Sequence, residues 1–178
     1  ALHYIKGEDY ERAEDFLVKA GKEALRSSAS SEALNCYQEG LKFYLQSNKD
    51  ATDPKRLAMF EKNIANAHYN QCHWDAAVQH FDKVFEMWNI PTSPNILIVF
   101  ITLAKNVIFI INGLDKLFKK MRPSPTKMDN EIFDLYYKKN SALFFIDNFR
   151  LMINMINSFN RAVKIDMAMS PQAIALFM

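Results

Sequence analysis

Seven residues of the first third of the chain return at one fixed offset. Leu17, Ala20, Gly21, Ala24, Ala33, Tyr37 and Gly40 recur 44 positions later as Glu61, Ile64, Ala65, His68, Ala77, Phe81 and Val84. Self-similarity of this period is the mark of one supersecondary unit used more than once. The residue types suit a helix hairpin. A small residue (Gly21, Ala65) lets the partner helix come close, Ala33 or Ala77 opens the second helix, and Tyr37 or Phe81 fills the hairpin core one turn later. Trp74-Asp75-Ala76-Ala77 ahead of Phe81, with Pro91 closing the unit, is the clearest copy. Glu61 stands where a large residue is expected and Val84 where a small one is.

Proline marks where the helices begin, because it fits only the first turn and a preceding Ser or Asp caps the free amides. Asp53-Pro54, Ser93-Pro94 and Ser170-Pro171 each predict a helix start, and Thr126 with Asp129 predicts a capping box after Pro123-Ser124-Pro125. Periodicity between these points predicts helices near 10–27, 31–47, 54–71, 74–88, 94–121, 127–146 and 149–166, with a truncated one at each end. With 4 Gly and 6 Pro in 178 residues, little material is left for the turns of a many-stranded sheet. The expected fold is all-α, a solenoid of seven to nine helices in hairpins. Its first part spans 1–91, and 92–178 continues the array with one long apolar helix and a further degenerate hairpin.

Charge and motifs exclude several functions. Lys and Arg number 22 against 20 Asp and Glu, so there is no global field for nucleic acid or an anionic membrane. The balance is uneven, −3 through residue 90 and +5 beyond it. Lys116, Lys119, Lys120 and Arg122 gather at a predicted helix C-terminus, where the helix dipole favours cations. No phosphate-binding glycine loop, HExxH, CxxC or nucleophile elbow is present, and no enzyme activity or cofactor is expected. His68, Cys72, His73 and His80 form the densest set of ligand-type residues. The turn before the next helix is expected to point His73 away, so they are read as packing and surface residues, with no metal. Cys36 and Cys72 are expected to be small core residues in a reducing, cytoplasmic setting.

Residues 96–111 are apolar apart from Thr102, Lys105 and Asn106. A membrane span needs about 20 apolar residues, and a Lys in mid-bilayer costs about 2.5–3.5 kcal/mol, so no span is expected. Helix 94–121 is expected to sit inside a bundle or under a partner, including a second copy in a homodimer. Ala1 at the start and the apolar Ile174–Met178 at the close lead to the expectation of a piece of a longer protein.

The hairpin chemistry resembles the tetratricopeptide repeat, whose usual period is about 34 residues, with the surplus in the polar stretch Gln46–Asp53. The segment "AEDFLVKAGKEALRSSASSEALNCYQEGL" is further similar to the helical region that follows the ATPase module of large bacterial AAA/STAND signalling proteins joined to cyclase or kinase domains. So are "SPNILIVFITLAKN", "DNEIFDLYYKKNSALFFIDNFRLMINMINSFNRAVK" and "SPQAIALFM". The resemblance implies a scaffold or partner-sensing role, with a protein or peptide, or another domain of the parent chain, as partner. On a tetratricopeptide array the first helix of each hairpin lines a concave face. Here that face would carry Met59, Lys62, Asn63, Asn66, Tyr69 and Asn70 from one repeat and Lys19, Lys22 and Arg26 from the one before. A Lys with an Asn four residues on is the pairing that carboxylate-clamp members of the family use on a peptide C-terminus. The strip would suit an acidic peptide. A free-standing adaptor for acidic peptides and a membrane-associated module using helix 94–121 are the alternatives.

Overall fold

The structure, a computed structural model, describes residues 10–48, 52–92, 96–111, 122–166 and 169–176. Among these residues there are eight helices and no strand. They are α1 (Tyr10–Arg26), α2 (Ser30–Ser47), α3 (Pro54–Asn70), α4 (Trp74–Met87), α5 (Ile96–Ile111), α6 (Lys127–Ile146), α7 (Asn148–Ala162) and α8 (Pro171–Ala175). The chain divides into two compact units, Ala1–Pro91 and Thr92–Met178.

In the N-terminal unit α1 packs on α2, α2 on α3, and α3 on α4. The repeat is visible in its turns. After α1, Ser28 takes φ 61°, and after α3, Cys72, 44 positions on, takes φ 58°. In both places the next amide closes back on the helix, Ala29 N–H to Ala24 O at 2.8 Å and His73 N–H to His68 O at 3.0 Å. This is the left-handed helix stop that usually falls to glycine. Asn89 repeats it after α4 with φ 54°, and Ile90 N–H returns to Phe85 O at 2.7 Å.

Small residues then meet large ones. A Cβ added at Gly21 would lie 2.9 Å from the Tyr37 ring, and one at Gly40 would lie 3.0 Å from Phe60. These contacts are possible because both positions lack a side chain. Tyr37, Tyr44, Phe60, Ile64, Ala33 and Ala67 form one buried cluster. The Tyr44 hydroxyl also accepts the Asp53 amide at 2.6 Å, while Asp53 caps α3 through Lys55 N–H at 3.0 Å. The predicted Asp53-Pro54 start is thus tied to the core.

In the C-terminal unit α6 packs against α7 and α8, and α5 against α7. Thr126 and Asp129 form the expected capping box. Asp147 alone separates α6 from α7 and caps α7 by accepting the Arg150 amide at 2.9 Å. Ile132, Phe133, Leu135, Tyr136, Ala142 and Leu143 make the buried stripe of α6, and Lys139 lies fully buried within that row. Ser170 caps α8 at the predicted point, accepting the Ala173 amide at 3.1 Å.

Several expectations change. The helix predicted over 149–166 ends at Ala162, because the chain turns there and the Asp166 amide goes to Pro123 O at 3.0 Å. The apolar helix is described over Ile96–Ile111. Its predicted extension to 121, with Lys116, Lys119 and Lys120, lies outside the described residues, as do the Ser93-Pro94 start and the N-terminal truncated helix. The apolar helix was expected inside a bundle or under a partner, and the first of these is not what its described side chains show. Instead Leu97, Phe100, Ile101, Val107 and Ile108 are 40–66% exposed, since its recorded packing is on α7. Cys36 is half-buried and Cys72 exposed, neither being core, and Cys72 is placed outward by its position in the turn after α3.

Candidate functional site

The residues read as a concave strip come from α1 and α3, which are neighbours at their N-terminal ends. Arg56 of α3 donates from Nε to Glu14 Oε1 at 2.7 Å and from Nη2 to Asp15 Oδ1 at 3.0 Å, both on α1. Its guanidinium also lies 5.8 Å from the centre of the Phe60 ring. Glu14 is buried, so this is a partly desolvated ion pair and not a surface one. A polar cavity of about 530 Å³ lies beside it, lined by Glu11, Glu14, Asp15, Tyr44, Asp53 and Arg56 among others. This end of α1 is acidic, and the cations follow in its second half.

Lys19, Lys22 and Arg26 are all exposed on α1. Arg26 is paired with Glu23 of its own helix at 2.7 Å, with both side chains open to water. Such a pair contributes at most about 1 kcal/mol and yields readily to a ligand. On α3, Lys62, Asn63, Asn66 and Tyr69 are half-buried and Asn70 is exposed. The Asn63 amide is engaged locally, donating to Met59 O at 2.9 Å and reaching Met59 Sδ at 3.3 Å. Met59 itself packs on the buried cluster. Tyr69 meets Trp74 edge-on, with ring centres 5.5 Å apart. Of the α3 set, Lys62 and Asn66, four apart on one helix face, match the clamp pairing.

Sequence reasoning missed the groups on the other face of α3. Glu61 is buried; its Oε2 meets His80 Nδ1 of α4, and its Oε1 accepts Lys83 Nζ at 3.3 Å. Burial pushes the Glu61 carboxyl up, but the hydrogen bonds and charges of His80 and Lys83 outweigh it and hold it below the usual carboxylate value. The signal was available, since Glu61 was the one charged residue at a repeat position that expects a large apolar one. His73 was expected to point away, yet its ring centre lies 5.8 Å from that of His68. The Cys72 turn folds the chain back onto the last turn of α3.

Among the described residues no three His, Cys, Asp or Glu side chains converge so as to hold a metal ion. Nor is any described helix long and apolar enough to cross a membrane. No protein-family model, curated protein or solved structure matches this chain.

Proposed function

We propose that this chain is a non-catalytic protein-interaction module of tetratricopeptide-like hairpins, whose α1–α3 face takes an acidic peptide or chain terminus. The observation that carries this reading is the agreement of the two hairpins 44 residues apart, in their turns at Ser28 and Cys72 and in their buried Ala33, Tyr37, Ala77 and Phe81. Such hairpins serve as stacked scaffolds whose exposed face does the binding. Lys19 and Lys22 are exposed, and Lys62 with Asn66 offers an ammonium and an amide within reach of one carboxylate. The resemblance to the helical region of AAA/STAND signalling ATPases supports reading the module as part of a larger regulatory protein of ATPase or cyclase type. Its partner is then a peptide segment of another protein or of another domain.

Fluorescence anisotropy with acidic peptides ending in a free carboxylate tests the site. Lys62→Ala with Asn66→Ala is expected to weaken binding at least about tenfold, equivalent to about 1.4 kcal/mol, and raising the salt concentration is expected to weaken the wild type. Undiminished binding by the double variant, or no binding of acidic peptides by the wild type, overturns the assignment.

A second reading rests on α5. Five large apolar side chains 40–66% exposed on one helix are more than the scattered apolar residues of a monomer surface. We propose that a second copy covers this face. Light scattering over a concentration series is expected to show a dimer that Ile101→Asp with Ile108→Asp converts into folded monomers. A wild type that is monomeric throughout removes the reading.

A further inference from the structure

His68, in the last turn of α3, is stacked on His80 of α4, with ring centres 5.5 Å apart and planes 14° apart. His73, the residue before α4, lies 5.8 Å from the same ring. Glu61 sits seven residues before His68, two turns back on the same face of α3. Its two oxygens are taken by His80 and Lys83. One carboxylate therefore serves two basic groups of α4, and the ring of His68 is the third basic group brought to the same place. The Nδ1 of His68 is buried and has no hydrogen-bond partner.

A proton on His68 would meet three costs here. It would leave water for a site where Nδ1 finds no acceptor. It would place a positive ring against His80, whose Nδ1 already leans on Glu61, and near His73. It would find the nearby carboxylate already shared. Burial first, then the charges of His80 and His73, push His68 below the ordinary histidine value. From α2, the other helix packed on α3, the titratable members of the shared core are Tyr37 and Tyr44, and Tyr44 lies at the far end of α2, bonded to the Asp53 amide at the start of α3. Burial pushes Tyr37 up to about 12, so it stays neutral and adds no charge. The neighbouring Cys36 is also shifted up, by burial and then by Glu32, and stays a thiol.

We propose that His68 is a proton-operated latch on the α3–α4 hairpin: neutral His68 lets the hairpin close, and proton uptake in mild acid loosens it. The sign follows from linkage. The unfolded chain binds a proton at this position at a higher pH than the folded one does. The stability that neutral His68 contributes is therefore complete above about pH 6.5 and falls as the pH drops from there toward the depressed folded value. Glu61 acts in a separate window, because its contribution is complete above the ordinary carboxylate value of 4.5 and is lost only below it.

The test is a histidine NMR titration of the whole chain, joined to thermal unfolding at about pH 7.5 and about pH 5.5. The His68 resonance is expected to titrate below about 6.5. The unfolding midpoint is expected to drop between the two pH values in the wild type, and to drop distinctly less in His68→Phe, which keeps a ring for the stack and takes no proton. A His68 resonance that titrates at or above the ordinary value overturns the proposal. So does a His68→Phe protein as acid-sensitive as the wild type. If His68→Phe does not fold at neutral pH, His68→Leu takes its place in the melting arm and the wild-type titration decides by itself.

Discussion

In Ala1–Pro91 two large apolar side chains, Phe16 and Leu45, stand exposed among the described residues, whereas Thr92–Met178 exposes fourteen. Both units are helical, but Thr92–Met178 holds 29 Phe, Ile and Leu residues against 15 in Ala1–Pro91, so composition supplies part of the contrast. Fit supplies another part. In the N-terminal unit two buried rings have a place made for them, Tyr37 over Gly21 and Phe60 over Gly40. In the C-terminal unit α7 does the reverse. Its buried residues are Asn154, Ser158 and Ala162, while Phe149, Met152 and Met155 are exposed. Asn154 donates to Asn140 Oδ1 of α6 at 2.6 Å, so the α6–α7 contact includes a short polar bond. A helix that turns small residues inward comes close to its neighbour and leaves its large residues outside.

This contrast predicts where substitution is costly. Phe60→Ala removes a fully buried ring touched by Tyr44, Gly40 and Arg56, and is expected to destabilise the chain by about 3–5 kcal/mol in chemical denaturation. A loss under about 1 kcal/mol would mean that the N-terminal core is as loose as the C-terminal surface, and the comparison would fail.

Gly21→Ala sharpens the same point through its sign. In an exposed helix interior the change gains about 1 kcal/mol from helix propensity. Here the new methyl would lie 2.9 Å from a buried Tyr37 ring, and overpacking of this kind costs about 1–3 kcal/mol. Net destabilisation by thermal melting is the expected result. Net stabilisation would show that Tyr37 has room to move and that the first hairpin is not held by this contact.

Gly21 and Tyr37 were legible in the sequence because a helix hairpin constrains residues that are close along the chain. The Asp53, Thr126 and Ser170 caps were legible for the same reason, since each acts within three residues of itself. The turns at Ser28, Cys72 and Asn89 were not, because each takes a left-handed conformation without glycine to announce it. Missing the Cys72 turn also meant missing His73 beside His68. The inward face of α7 was hidden for another reason. Periodicity reports which side of a helix is apolar, and α7 buries the side that fits α6. Lys139 escaped in the same way, as a buried charge inside an otherwise apolar stripe. On α3, Lys62 and Asn66 could be named from spacing, but the engagement of Asn63 with Met59 and of Tyr69 with Trp74 depends on packing that spacing does not carry.

The C-terminal unit has a polar tie of its own whose loss can be measured. Arg161 of α7 donates to Asp129 Oδ1 at 2.8 Å, linking the end of α7 to the first turn of α6. Burial pushes the Asp129 carboxyl up, but the hydrogen bonds from Thr126 and Arg161 outweigh it and hold it below the ordinary value of 3.8. Its contribution is therefore complete above that value and lost as the pH falls below it. Arg161→Met is expected to cost about 1–2 kcal/mol at neutral pH, with a smaller difference between variant and wild type in strong acid. An equal difference at every pH would show that Arg161 acts through packing of its stem.

The smallest effect on stability is expected at apolar side chains that lie mostly in water. Phe144 and Phe145, at the C-terminal end of α6, are 63% and 64% exposed. They line an open groove of about 410 Å³ together with Tyr137, Leu151 and Met155. Phe145→Ser is expected to change the unfolding free energy by no more than about 0.5 kcal/mol, as for a surface position, because the folded state already leaves most of that ring in water. The same substitution in the N-terminal core would put a hydroxyl where a ring had filled the space. A loss of 2 kcal/mol or more from Phe145→Ser, on the order of a core truncation, would mean that the ring is covered in solution. Repeating the measurement at several protein concentrations separates the two ways of covering it. A loss that grows with concentration belongs to association between copies, and a constant one belongs to the fold of a single chain.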